Sequence, residues 1–193
     1  MIMEPAYIYS GENHDWDLVL RASNVMLQTG EHFRQNNEIS FSAFLSAMLL
    51  AHTSIESFTA SMAFKLNQRD AASLNYRKFV AQRGFWTKVN MVCKAADIDS
   101  QAEEPPFDAI RVMLEWRNTL VHSLPSRVDD TPIAYTAEVH QLHASFHDLE
   151  FSRKVNGDNA RRFFDAANGY VSLLEAKTGI EPRSFASYAP VAP

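Results

Sequence analysis

The sequence predicts an all-α fold, a bundle of four to six helices, and three observations point to it. Phenylalanine is abundant (13 residues) and glycine scarce (6 residues), a balance that suits long helices around a substantial core better than a turn-rich sheet protein. The hydrophobic share is 46% and the charged share 21%, ordinary values for a packed globular chain. Apolar residues recur at helical spacing through most of the length. The 193 residues fit one domain with a tail. We assign 1–183 to a single helical domain and 184–193, small and Pro-containing, to a disordered tail.

The first helix is predicted from about Asp15 to about Phe33. Trp16, Leu18, Val19, Ala22, Val25, Met26 and Phe33 supply its apolar stripe, and Thr29-Gly30 is a candidate early break. The second runs from Ser40, a suitable N-cap, to Leu66. It is the longest and clearest, with Phe41, Phe44, Leu45, Met48, Ile55, Thr59, Met62 and Ala63 at helical spacing. The stretch from Asp70 to Ile98 reads as one helix or two, with Gly84 as the break. Pro105-Pro106 open the next helix, which ends near Leu124 because Pro125 disfavours helix in the residue before it. Between Ser126 and Phe151 the signals conflict. Ile133, Tyr135 and Ala137 alternate like a strand, whereas Val139, Leu142, Phe146 and Leu149 recur like a helix. A short β-hairpin or irregular connection is expected there, between the fourth long element and the last helix. That last helix spans about Asp158 to Lys177, with Gly179 where a C-cap belongs.

The net charge of −5 argues against a protein that coats nucleic acid, although a local basic patch could still bind RNA. Cys93 is the only cysteine, so no intrachain disulfide can form. Met1 to Ser10 carries no signal-peptide pattern, and a cytoplasmic protein is expected. The most apolar segment, Phe41 to Phe64, is interrupted by His52 and Glu56, far short of the roughly 18 apolar residues of a membrane span. No membrane association is expected.

The helix from Phe107 to Leu124 carries the most informative pattern. On a wheel of about 100° per residue, Arg117 falls near the middle of an apolar half built from Phe107, Ile110, Met113, Leu114, Trp116, Leu120, Val121 and Leu124. Asn118 and His122, four residues apart, lie at its margin. A guanidinium inside an apolar arc is costly unless another element supplies a partner or a ligand. The second helix offers His52 at the centre of its apolar stripe and Glu56 one turn later. If the two helices face each other, His52, Glu56, Arg117 and His122 form one polar cluster. A buried Glu56–Arg117 ion pair that merely fixes helix register is an equally available reading.

The string Glu115-Trp116-Arg117-Asn118-Thr119-Leu120-Val121-His122 resembles the late-helix R-x4-6-H motif of the HEPN superfamily. The order of elements over residues 15 to 180 is similar too: a long helix pair, the motif helix, then a closing amphipathic helix. The resemblance implies a metal-independent endoribonuclease without cofactor, toxin-like or linked to defence, with RNA as substrate and an antitoxin protein as a partner. His122 would serve as acid or base. Arg117 would grip phosphate and stabilise developing charge. Asn118 would orient His122 or a phosphate, with Glu56 and His52 in support. Arg117 and His122 are about 140° apart on the wheel, so one chain does not present them as a tight pair. A two-fold homodimer could assemble two of each in one cleft. The alternative is a non-catalytic HEPN-like helical module that dimerises or binds a nucleotide or partner protein, which the acidic charge favours.

Other polar features have plainer readings beside sharper ones. His140, His143 and His147 are spaced i, i+3, i+7, and on a helix they could hold zinc; a solvated histidine-rich face is the bland reading. Cys93 sits in an apolar stretch and reads as a buried thiol. Arg153, Lys154, Arg161 and Arg162 suit either an RNA-approach patch or a solvated helix start. Trp86 and Trp116 read as core or interface anchors. The absence of a Gly-rich phosphate loop argues against nucleotide hydrolysis.

Overall fold

The computed structural model describes residues 7–36, 38–121 and 153–190. Among the described residues there are six helices and one two-stranded antiparallel ladder. In chain order they are β1 (Tyr7–Glu12), α1 (Trp16–Gln35), α2 (Phe41–Arg69), α3 (Tyr76–Ala81), α4 (Phe85–Ala95), α5 (Phe107–Val121), α6 (Gly157–Thr178) and β2 (Phe185–Pro190). The all-α expectation holds. No helix among these residues is long and apolar enough to cross a membrane.

The bundle is organised around α2. Phe44, Met48, Ala51, Ile55, Phe58, Met62 and Leu66 are all buried, and α2 touches α1, α3, α4, α5 and α6. A helix apolar on so many sides is stable only when neighbours surround it. Helix α1 runs antiparallel along it. Trp16 meets Phe58 edge-on at 4.9 Å, Ser23 Oγ donates to the carbonyl of Ala47 at 2.8 Å, and Gly30 lies on Phe44. Gly30 does not end α1, as the sequence suggested. A Cβ there would sit 2.5 Å from the Phe44 ring, so the glycine serves close helix approach rather than a break. Ser40 precedes α2 but makes no side-chain cap.

The stretch beyond Asp70 resolves into two helices. Asn75 caps α3 by accepting from the Lys78 N–H at 3.0 Å, and Gly84 stands at the N-cap of α4. Helix α5 buries Phe107, Ile110, Met113 and Trp116. Trp116 meets Phe163 of α6 at 5.9 Å and Phe107 meets Tyr170 at 6.3 Å. Asn156 caps α6 through the Asn159 N–H at 2.9 Å, and Gly179 closes it in the left-handed region at φ 65°.

The sheet is not where the sequence placed a hairpin. That expectation, within 126–151, lies outside the described residues. Instead β1 pairs with β2, Tyr7 opposite Pro190 and Glu12 opposite Phe185. The expected disordered tail is therefore corrected over Phe185–Pro190, whose backbone satisfies itself against the first described strand. Side chains reinforce this closure of the two ends. Trp16 Nε1 donates to the Pro182 carbonyl at 2.7 Å, and the His14 N–H donates to Ser184 Oγ at 2.7 Å. Glu12 accepts from Lys65 and, at 2.9 Å, from Gln68 of α2.

Candidate functional site

Trp116 fixes the rotation of α5. Its ring is 1% exposed and locked against Phe163, which turns the neighbouring Arg117 to a half-buried position at the bundle's flank. Its Nη1 donates to Asn118 Oδ1 at 3.4 Å, and Asn118 itself is exposed. Among the described residues Arg117 makes no ion pair, so the buried Glu56–Arg117 bridge that the sequence left open as an alternative is not formed.

On α2 the His52 side chain is only 4% exposed, and its ring lies over Phe85 of α4, centroids 4.7 Å apart at 30°. Its Nδ1 is 3.6 Å from Glu56 Oε2, while Nε2 is buried with no hydrogen-bond partner among the described residues. Burial, with the positive charge of Arg117 adding to it, pushes His52 down to about 4. The imidazole is therefore neutral at pH 7. Glu56 is held at the rim, its side chain 45% exposed. Burial raises its pKa, and the charges of Arg117 and Lys88 pull it back. Arg117 thus acts on both α2 residues, and His52, Glu56 and Arg117 share one neighbourhood. His122 lies outside the described residues, as do His140, His143 and His147. Among the described residues no group of three metal-binding side chains is found.

The arrangement offers a neutral imidazole, a carboxyl whose pKa burial raises, and a guanidinium free of carboxylate pairing among the described residues. Such a set can bind an oxyanion and exchange a proton with it. Sequence reasoning missed Phe85 as the wall against His52, and it missed Lys88. No signal within either helix could have found them, because the contact depends on how α4 packs against α2.

The remaining candidates lie elsewhere. Cys93 is buried, and desolvation pushes its thiol up to about 12, partly offset by a hydrogen bond to Tyr170. Arg162 pairs with Asp108 at 3.0 Å. With Arg161, Asp158, Asp165 and Glu31 it lines a cleft of about 790 Å³ along α6. Arg153 and Lys154 are exposed just before α6. Trp86 carries the Arg111 guanidinium 5.1 Å over its ring and anchors the α4–α5 junction.

Comparison with protein-family models, with curated proteins and with solved structures finds no match to this chain.

Proposed function

We propose that this protein is a HEPN-type, metal-independent endoribonuclease, toxin-like or defence-linked, whose Arg117, Asn118 and His122 act at a homodimer interface in the cytoplasm. The observation that carries the reading is the position of Arg117. It is half-buried beside the neutral His52 and Glu56, with no carboxylate among the described residues claiming its guanidinium. A guanidinium placed this way can receive a phosphate oxygen without first breaking a salt bridge. Its sequence neighbour Asn118 and, five residues on, His122 supply the remaining polar groups of the motif. Cleavage by the substrate's own 2′-hydroxyl needs a proton acceptor, a proton donor and a cation for the phosphorane, and no metal. An antitoxin protein would fit the toxin-like role.

The test is incubation with RNA in EDTA, wild type beside the Arg117→Ala, His122→Ala double variant. Cleavage by the wild type alone supports the reading; cleavage by neither, with folded protein, overturns it. A monomer in sedimentation at micromolar concentration would overturn the shared cleft.

A second reading is a non-catalytic binding module of the same kind. The cleft of about 790 Å³ along α6 favours it, being of the size that holds small ligands. It predicts intact RNA in both samples and a normal dimer.

A further inference from the structure

We propose that the pocket beneath the turn from β1 into α1 binds a small organic monocation, an amine or amidine on a short apolar body. Its volume is about 400 Å³, within the range of small-molecule sites. The turn from Gly11 to Asp15 lines it, with Ser57, Ser61 and Phe64 of α2 and Tyr76 of α3. Neither His52, Glu56 nor Arg117 lines it, so the site stands apart from the ribonuclease reading. The turn is firmly seated. Ser184 Oγ accepts from the His14 N–H at 2.7 Å and lies 3.3 Å from Asn13 Oδ1. Glu12 is engaged by Lys65, Gln68 and His14.

Three polar groups in this pocket are left uncommitted. Ser61 is 8% exposed, yet its hydroxyl makes no hydrogen bond among the described residues. A hydroxyl taken out of water is costly unless something else answers it. The His14 side chain is 4% exposed; its Nε2 lies 3.1 Å from Glu12 Oε2, and its Nδ1 has no partner among the described residues. Asp15 stands at the N-cap of α1 without a side-chain cap, and its carboxylate enters no ion pair among the described residues.

These groups select the charge of the ligand. No lysine or arginine lines the pocket, and Lys65 already answers Glu12. Asp15 therefore remains as one unanswered negative charge, which opposes phosphates and carboxylates and favours a single positive charge. Its carboxylate accepts charge-assisted hydrogen bonds from N–H groups, and Ser61 Oγ accepts another. Phe64 and Tyr76, whose rings meet edge to face at 5.4 Å, give an apolar wall and a π surface that suits an organic cation. Occupancy would also brace the closure of the two chain ends, because Asn13 and His14 are tied to Ser184 just ahead of β2.

The test is an NMR titration of the isotope-labelled full chain with benzamidine and benzylamine, beside benzyl alcohol and benzoate, which keep the ring and change the charge. Both cations are expected to shift the amides of Asn13, His14, Asp15 and Ser61 along one curve, with a Kd of about 1 mM or tighter, ordinary for so small a ligand. Benzyl alcohol should bind at least about tenfold more weakly, and benzoate not at all. Asp15→Asn, which keeps a residue suited to the N-cap, should weaken benzamidine about tenfold, and Ser61→Ala about threefold. Asp165→Asn, in the cleft along α6, should leave the affinity unchanged, which separates the pocket from the general attraction of cations to a chain of net charge −5. Circular dichroism confirms that each variant is folded. Saturation should also slow hydrogen exchange in β1 and β2.

No amide shift with benzamidine at about 10 mM, tenfold above that Kd, overturns the site. So do shifts confined to the cleft along α6, or benzoate binding as tightly as benzamidine. An affinity that Asp15→Asn and Asp165→Asn lower alike, with both variants folded, makes the binding one of surface charge and overturns the pocket as its seat. None of these results bears on RNA cleavage.

Discussion

The buried His52 makes the protein's acid stability predictable. Its drop from 6.5 to about 4 corresponds to about 3 kcal/mol, at about 1.36 kcal/mol per pH unit. The side chain is 4% exposed, so solvent screening removes little of this. The folded state refuses the proton that the unfolded chain accepts. Between pH 6.5 and about 4 the unfolded state therefore binds more protons, and stability falls as pH falls through that window. Two-state titration of such a group gives a loss of about 2 kcal/mol between pH 7 and pH 5. Glu56 works the other way. Its raised pKa contributes stability at low pH that is lost as pH rises through the folded value. The perturbation is His52→Leu, which keeps an apolar side chain over Phe85 and removes the unpartnered Nε2. Urea unfolding of both proteins at pH 7, 6 and 5 should show the wild type losing about 2 kcal/mol relative to the variant. Taking the difference cancels every distant titration. A difference that stays constant across the three pH values would refute the reasoning, because His52 would then titrate alike folded and unfolded.

Three further outcomes follow from the packing. Gly30→Ala should lose about 1–2 kcal/mol in urea unfolding, the strain of an inserted methyl less the helix-propensity gain; its Cβ would meet the buried Phe44 ring at 2.5 Å, and a more stable variant would show that the ring yields. Tyr170→Phe should cost about 1–2 kcal/mol, because the buried Tyr170 hydroxyl donates to Thr59 Oγ1 at 3.1 Å while Thr59 donates to the Ile55 carbonyl; unchanged stability would mean that contact is worthless. Cys93 is buried, with its thiol pushed up to about 12, so iodoacetamide at pH 8 should label it only after unfolding. Native-state labelling at the rate of a free thiol would contradict that burial.

The helices were legible because their signals are local. Phe44, Met48, Ile55 and Met62 repeat along one helix, and Gly84 breaks one where it stands. Gly30 misled because a glycine signals a helix end and a close helix approach with the same residue. Only Phe44 beneath it decides between them. The β ladder was invisible for a different reason. Its partners, Tyr7 and Pro190, stand at opposite ends of the chain, and neither strand is apolar enough to announce itself alone. In the site, the wheel could place His52 inside and Glu56 at the edge of α2, but it could not orient α4 against α2. Phe85 and Lys88 entered only with that packing.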